Sequence, residues 1–284
     1  MPSFRSTASK AQHAAKQTDA KSLGTQRNYA QAIKGAIEYM QDEKRGLDAQ
    51  DLGRETVDLY LAMRSQEVAQ STLDLDRQAL QAHLGIKLPM VYSELSQALD
   101  SRAYTAEQTA MVASAQSSKH SLATELAANA GLRAHELLTL RPSDEQPRDT
   151  HREYRDDRFA GRENVEIYTV VGKGGLCREV AIDRDLAARL EAMRLPQSIQ
   201  VVDRSIPYKQ FYEIGGGKNW SDSFSKASDR ALGWSNGGHG LRHEYAQDRM
   251  NTLQSIGYAY RDALEVVSQE MGHFRADITE VYLR

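Results

Sequence analysis

The side chains in this chain best placed to act together on one substrate are strung along it from Arg133 to Tyr282. Arg133 opens an Arg-x-x-Glu with Glu136, and Lys173 sits between Gly172 and Gly174-Gly175. His239 opens a His-x-x-Arg with Arg242, and His243 follows directly. His273 comes after Gly272, and Tyr282 lies nine residues further on. Arginine offers a planar fork of donors that matches phosphate oxygens and never deprotonates, so converging arginines, a lysine and histidines suit a phosphodiester. A tyrosine is a weak nucleophile at its free pKa of about 10, and attack on phosphorus needs neighbours that stabilise the phenolate and the developing charge. Taken singly, each residue has an ordinary reading. Arg133 with Glu136 is a helical ion pair worth a few tenths of a kcal/mol. Lys173 is a solvated turn residue, His239 a loop or cap residue, His273 a helix end suited to the dipole, and Tyr282 a packing residue. Their joint occurrence in this order, with a lysine-tipped turn between them, carries the chemical reading.

That order resembles the tyrosine recombinase (phage integrase) family, from about Thr25 to Arg284. The family's Arg-x-x-Glu corresponds to Arg133–Glu136, its hairpin lysine to Lys173, and its His-x-x-Arg to His239–Arg242. Its Leu-Gly-His is similar to Met271-Gly272-His273, with Thr279 between that motif and Tyr282. Tyr245, Tyr258 and Tyr260 lack the matching offset from a Gly-His pair.

The resemblance implies a site-specific DNA recombinase or integrase that integrates or excises a mobile element. Tyr282 attacks the scissile phosphate to give a 3′-phosphotyrosyl bond and a free 5′-hydroxyl. Arg133 and Arg242 stabilise the charge, and Lys173 protonates the departing oxygen. His239 and His273 either hydrogen-bond the non-bridging oxygens or help the tyrosine lose its proton, while Glu136 and His243 support them. Implied partners are double-stranded DNA carrying specific recombination sites and further copies of the chain, as a tetramer on paired sites. No cofactor and no metal is implied. The alternatives are a type IB topoisomerase-like nicking enzyme, and a catalytically inactive DNA-binding accessory or regulatory protein.

Other chemistries find no support in the sequence. The chain has no Gly-x-x-x-x-Gly-Lys-Ser/Thr phosphate loop, no Gly-x-Gly-x-x-Gly after a strand and no Gly-x-Ser-x-Gly elbow. His239 and His243 have the i, i+4 spacing of a helical metal pair, but Arg242 between them would repel a cation and no His-Glu-x-x-His accompanies them.

The elements that must position these residues fall into two groups. Residues 1–24 show no clear period and read as a basic, mobile arm. Tyr29, Ile33, Ala36, Ile37 and Met40 then form one stripe of an amphipathic helix capped by Thr25. Val57, Tyr60 and Leu61 mark a second helix, and Leu73, Leu80 and Leu84 a third. Residues 25–100 therefore read as a helical domain, similar to the family's core-binding (SAM-like) DNA-binding domain, with a short last helix over Leu95–Leu99. Residues 101–284 form the catalytic domain. It opens on a Thr105/Gln108 capping box, and a helix from Ser121 toward Asn129 follows. Val165–Val171 and Arg178–Ile182 alternate as the strands of a hairpin. Further helices are predicted over Leu186–Leu195, Ser221–Leu232, Leu241–Thr252 and Leu264–Met271. The fold class is mainly α with a small β-hairpin or sheet (α+β), and the resemblance implies two domains that clamp DNA.

Length and composition fit this reading. A chain of 284 residues with 40% apolar and 26% charged side chains is an ordinary globular composition, with length for two domains. The single cysteine, Cys177, permits no internal disulfide and suits a reducing compartment. No stretch approaches the roughly 18 apolar residues of a membrane span, and the expected location is the cytoplasm, at the nucleoid. A net charge of −3 argues against indiscriminate coating of polyanions. Positive charge is concentrated at the N-terminus, where residues 1–37 carry six basic side chains and one acidic. Because Arg284 lies two residues beyond Tyr282, the sequence predicts a loosely held, mobile last turn and a protein that is monomeric without DNA.

Overall fold

The computed structural model describes residues 6–43, 49–96 and 101–284. The chain divides into two compact units, Met1–Leu99 and Asp100–Arg284.

The first unit is helical: α1 (Thr7–Lys16), α2 (Leu23–Glu43), α3 (Arg54–Ser65) and α4 (Gln70–Leu84). Its core holds Ile33, Ala36, Ile37 and Met40 of the α2 stripe, Val57, Tyr60 and Leu61 of α3, and Leu73 and Leu80 of α4. Two expectations are corrected here. Residues 7–16 do not belong to a mobile arm. They form α1, capped by Ser6 Oγ, which accepts from Ser9 N at 3.3 Å, and α1 buries Ala11, Ala14 and Ala15 in the same core. Alanine is nearly neutral on a hydropathy scale, so a stripe of alanines among Lys, Gln and Thr gives almost no periodic contrast. Helix α2 also begins before Thr25, with Ser22 Oγ accepting from Thr25 N at 3.0 Å. The helix expected over Leu95–Leu99 lies largely outside the described residues, and Leu95 and Ser96 are not helical.

The second unit begins with α5 (Ala106–Ser114), entered through the complete Thr105/Gln108 capping box, and α6 (Ser118–Ala130). A three-stranded antiparallel sheet follows in the order β1 (Arg141–Pro142), β2 (Val165–Val171), β3 (Cys177–Asp183). The β2–β3 hairpin runs in register from Val165↔Asp183 to Val171↔Cys177, and Lys173–Gly175 form its tip. Gly174 at φ 83° and Gly175 at φ 87° supply the left-handed backbone that closes it. Helix α7 (Arg184–Glu191) packs on the sheet and stops short of Leu195, because the chain turns into a second ribbon, β4 (Arg194–Asp203) and β5 (Ile206–Tyr212). That ribbon has no counterpart in the sequence reading. Its β4 strand is polar, largely exposed, interrupted by Pro196, and breaks register between Arg194 and Ile199.

Helices α8 (Gly217–Leu232), α9 (Gly240–Ser255), α10 (Tyr260–Glu270) and α11 (Ala276–Glu280) complete the unit, and a final helical turn spans Val281–Leu283. One core packs α5, α6 and α8 against the sheet through Leu126, Val170, Val180, Trp220 and Phe224. A second holds α9, α10 and the chain end through Tyr245, Leu253, Val267, Met271 and Tyr282. No helix among the described residues is long and apolar enough to cross a membrane.

Candidate active site

Helix α6 is capped at its C-terminus by Gly131, and glycine is required there both by the left-handed φ of 58° and because a Cβ would lie 2.6 Å from the Tyr245 ring. The close approach lays the 131–136 turn against α9. In that turn Glu136, fully buried, accepts from Arg133 twice, from backbone N and from Nη1, each at 2.8 Å. Its Oε2 also accepts from Arg178 Nη2 at 2.9 Å. Arg178 is itself buried on β3, and its Nη1 donates to Glu270 O at 2.5 Å, just ahead of Met271-Gly272-His273. Gly272, at φ 71°, leaves room for that guanidinium, since a Cβ would sit 2.7 Å from Arg178 Cδ. Burial pushes the Glu136 carboxyl up, but Arg178, Arg133 and Arg242 outweigh it and hold the group at about 2. The acid is thus a permanent anion that fixes two arginines from different elements.

Arg242 lies in the first turn of α9 with no exposed surface. Its Nη1 donates to Gly131 O, and its Nη2 donates to Met271 O and to His273 Nε2, both at 3.1 Å. Its buried Nε–H has no acceptor among the described residues. Burial, and then the neighbouring Arg133, lower its pKa to about 10, so it remains a cation at neutral pH.

Tyr282 is packed among the histidines. Its ring centroid lies 5.3 Å from that of His239, 4.8 Å from His243 and 5.1 Å from His273, with the last pair stacked at 29°. The Arg242 guanidinium stands 5.5 Å from the Tyr282 ring. The expected mobile last turn is corrected: Tyr282 is 8% exposed, and Gln247 Nε2 donates to Tyr282 O at 3.2 Å and Arg284 O at 3.1 Å. His243 Nδ1 is buried with no hydrogen-bond partner among the described residues. Desolvation, and then Arg242, lower the pKa of His239 to about 4 and that of His273 to about 3. For His243 desolvation, and then Arg102, act in the same direction. The three imidazoles are neutral at pH 7 in the free protein, although His239 is the most exposed of them.

The structure thus gathers Arg133, Glu136, His239, Arg242, His243, His273 and Tyr282 into one centre. It does not bring the Lys173 side chain into that centre. Gly172, its neighbour, touches the edge, where a Cβ would lie 3.2 Å from Glu136 Oε1, while Lys173 itself is exposed at the hairpin tip. Sequence reasoning missed Arg178, Arg204 and Ser221. Arg178 left a readable signal, since it shares the inward face of β3 with Val180 and Ile182, where a charge needs a partner. Arg204 and Ser221 line the cleft beside Arg133, His239 and Arg242, and Arg204 comes from the ribbon that the sequence did not disclose. Among the described residues no group of three His, Cys, Asp or Glu side chains stands where it could hold a metal ion.

No family model and no curated protein matches the chain. Among solved structures it is similar to the XerH site-specific recombinase bound to its difH substrate, at 15% identity and a TM-score of 0.59, over 99% of this chain and 81% of that one. It is similar to a lambda integrase in a tetramer bound to a Holliday junction, at 16% identity and a TM-score of 0.55, over 98% and 76%. It is also similar to the Tn1549 transposon integrase in complex with transposon right end DNA, at 11% identity and a TM-score of 0.54, over 98% and 94%. The chain has the tyrosine recombinase fold.

Proposed function

We propose that this chain breaks and rejoins DNA as a tyrosine-type site-specific recombinase, with Tyr282 as the nucleophile. The observation that supports this most is the seating of Tyr282 among His239, His243 and His273 over the buried Arg242. A packing tyrosine has no need of three imidazoles and a guanidinium, whereas a phenol that must become an oxyanion beside a phosphate does.

In the proposed step Tyr282 Oη attacks phosphorus, the 3′-phosphotyrosyl bond forms and the bond to the 5′ oxygen breaks. The phenolic proton passes to a neighbouring base, and the departing 5′ oxygen takes a proton from Lys173. Arg242, held by Gly131 O and Met271 O, and Arg133, held by Glu136, face the charge that grows on the non-bridging oxygens. The energy of the broken ester is kept in the phosphotyrosyl bond, so a 5′-hydroxyl from another strand reverses the step and joins new partners. Lys173 reaches the leaving group by movement of the hairpin tip when DNA enters. The finer reading is integration or excision of a mobile element by four copies on paired sites, with both units of each copy contacting the duplex.

The test is a nicked suicide duplex carrying the recombination site, followed by denaturing electrophoresis. A covalent protein–DNA band supports the proposal. A mobility shift in native gels with no covalent band would make the chain an accessory DNA-binding protein.

A further inference from the structure

The histidine of the Gly272-His273 pair has two partners, and their chemistry fixes its form. Its Nε2 lies 3.1 Å from Arg242 Nη2, and its Nδ1 lies 3.2 Å from Thr279 Oγ1. A guanidinium has five N–H donors and no acceptor, so the nitrogen that meets it must offer a lone pair. In a neutral imidazole the proton then resides on the other nitrogen, which needs an acceptor, and the hydroxyl of Thr279 is the group in place. Thr279 is fully buried.

We infer that Thr279 is a positioning residue that holds His273 as the Nδ1–H tautomer and so presents its Nε2 lone pair to Arg242. The inference rests on reading the site as a strand-transfer centre only for its consequence in the reaction. His273 meets an incoming phosphate as an acceptor, and it cannot donate to a non-bridging oxygen until Nε2 has gained a proton. The acidic group stacked on it is the phenol of Tyr282. Burial and the surrounding arginines keep the ring neutral until then. Thr279 stands in α11, one turn before Tyr282. Docking of the nucleophile segment and the tautomer of His273 are therefore one event. If the segment leaves, Nδ1 loses its acceptor and the ring its orientation.

The experiment uses the full chain without DNA, labelled with ¹⁵N-histidine, and reads the two ring nitrogens of His273 by long-range ¹H–¹⁵N correlation. The expected wild-type spectrum has a protonated Nδ1 and a bare Nε2. Thr279→Ser should keep that pattern, and Thr279→Val should lose it. A wild-type spectrum with the proton on Nε2, or a Thr279→Val spectrum unchanged from wild type, overturns the inference. Should the valine variant not fold, the wild-type spectrum still decides the tautomer. In single-turnover cleavage of the suicide duplex, Thr279→Val should be slower by roughly tenfold or more at unchanged DNA affinity, with Thr279→Ser near wild type. Equal rates for Thr279→Val and wild type would contradict the positioning role. Absence of any adduct from a wild-type protein with the assigned tautomer would instead defeat the recombinase reading and leave the tautomer standing.

Discussion

Buried charge organises the centre residue by residue, and each charge has a measurable consequence. Glu136 is bonded to both Arg133 and Arg178. Glu136→Gln keeps the shape but leaves buried guanidinium charge unopposed, and it should cost about 3 kcal/mol of stability, read by denaturant unfolding. The pH dependence follows from groups whose folded pKa lies below the usual value. His239 and His273 stay neutral in the folded protein while the unfolded chain takes up protons below about pH 6.5, so their contribution is present above that pH and is lost as the pH falls toward 4 and 3. Glu136 adds a further loss between about pH 4.5 and 2. Glu244, which burial raises to about 7, works the other way, losing stability as the pH climbs toward neutrality. His273→Gln should therefore flatten the fall in melting temperature between pH 6.5 and 4, and a slope identical to wild type would contradict the assignment. Most of this centre was legible in the sequence because fixed spacings place Arg133 with Glu136 and His239 with Arg242. Arg178 was not singled out, because its role depends on which face of β3 meets Glu136, and only the fold settles that.

At the scale of elements, the close contacts that bring the site together are glycine contacts. Gly131→Ala would force a side chain into left-handed backbone and against the Tyr245 ring, and it should destabilise the second unit by about 1–3 kcal/mol, visible as a lower melting temperature. The helices and the β2–β3 hairpin were readable from apolar periodicity and from the glycine-rich tip. Helix α1 and the β4–β5 ribbon were not, for opposite reasons: α1 buries side chains too small to mark a face, and the ribbon exposes most of its own. The distinction can be measured. Removing residues 1–17 should lower the melting temperature of the first unit, since Ala11, Ala14 and Ala15 leave its core with them. A free basic arm would leave melting unchanged and alter only the salt dependence of DNA binding.

For the whole molecule, a net charge of −3 means that any affinity for DNA must come from local basic surfaces. Binding should weaken steeply with salt, in a log–log plot whose slope reports the phosphates neutralised. Sedimentation should show assembly on paired recombination sites. The central claim is that the buried tyrosine of the last turn is the nucleophile, and the chain offers a direct way to test it. Trypsin cleavage after Arg275 releases Ala276–Arg284, a peptide whose single tyrosine is Tyr282. After reaction with a suicide duplex and nuclease trimming, mass spectrometry should find that peptide carrying a nucleotide through its 3′-phosphate, and Tyr282→Phe should abolish the adduct while leaving DNA affinity nearly unchanged. A nucleotide on any other peptide, or an adduct that survives Tyr282→Phe, would contradict the account.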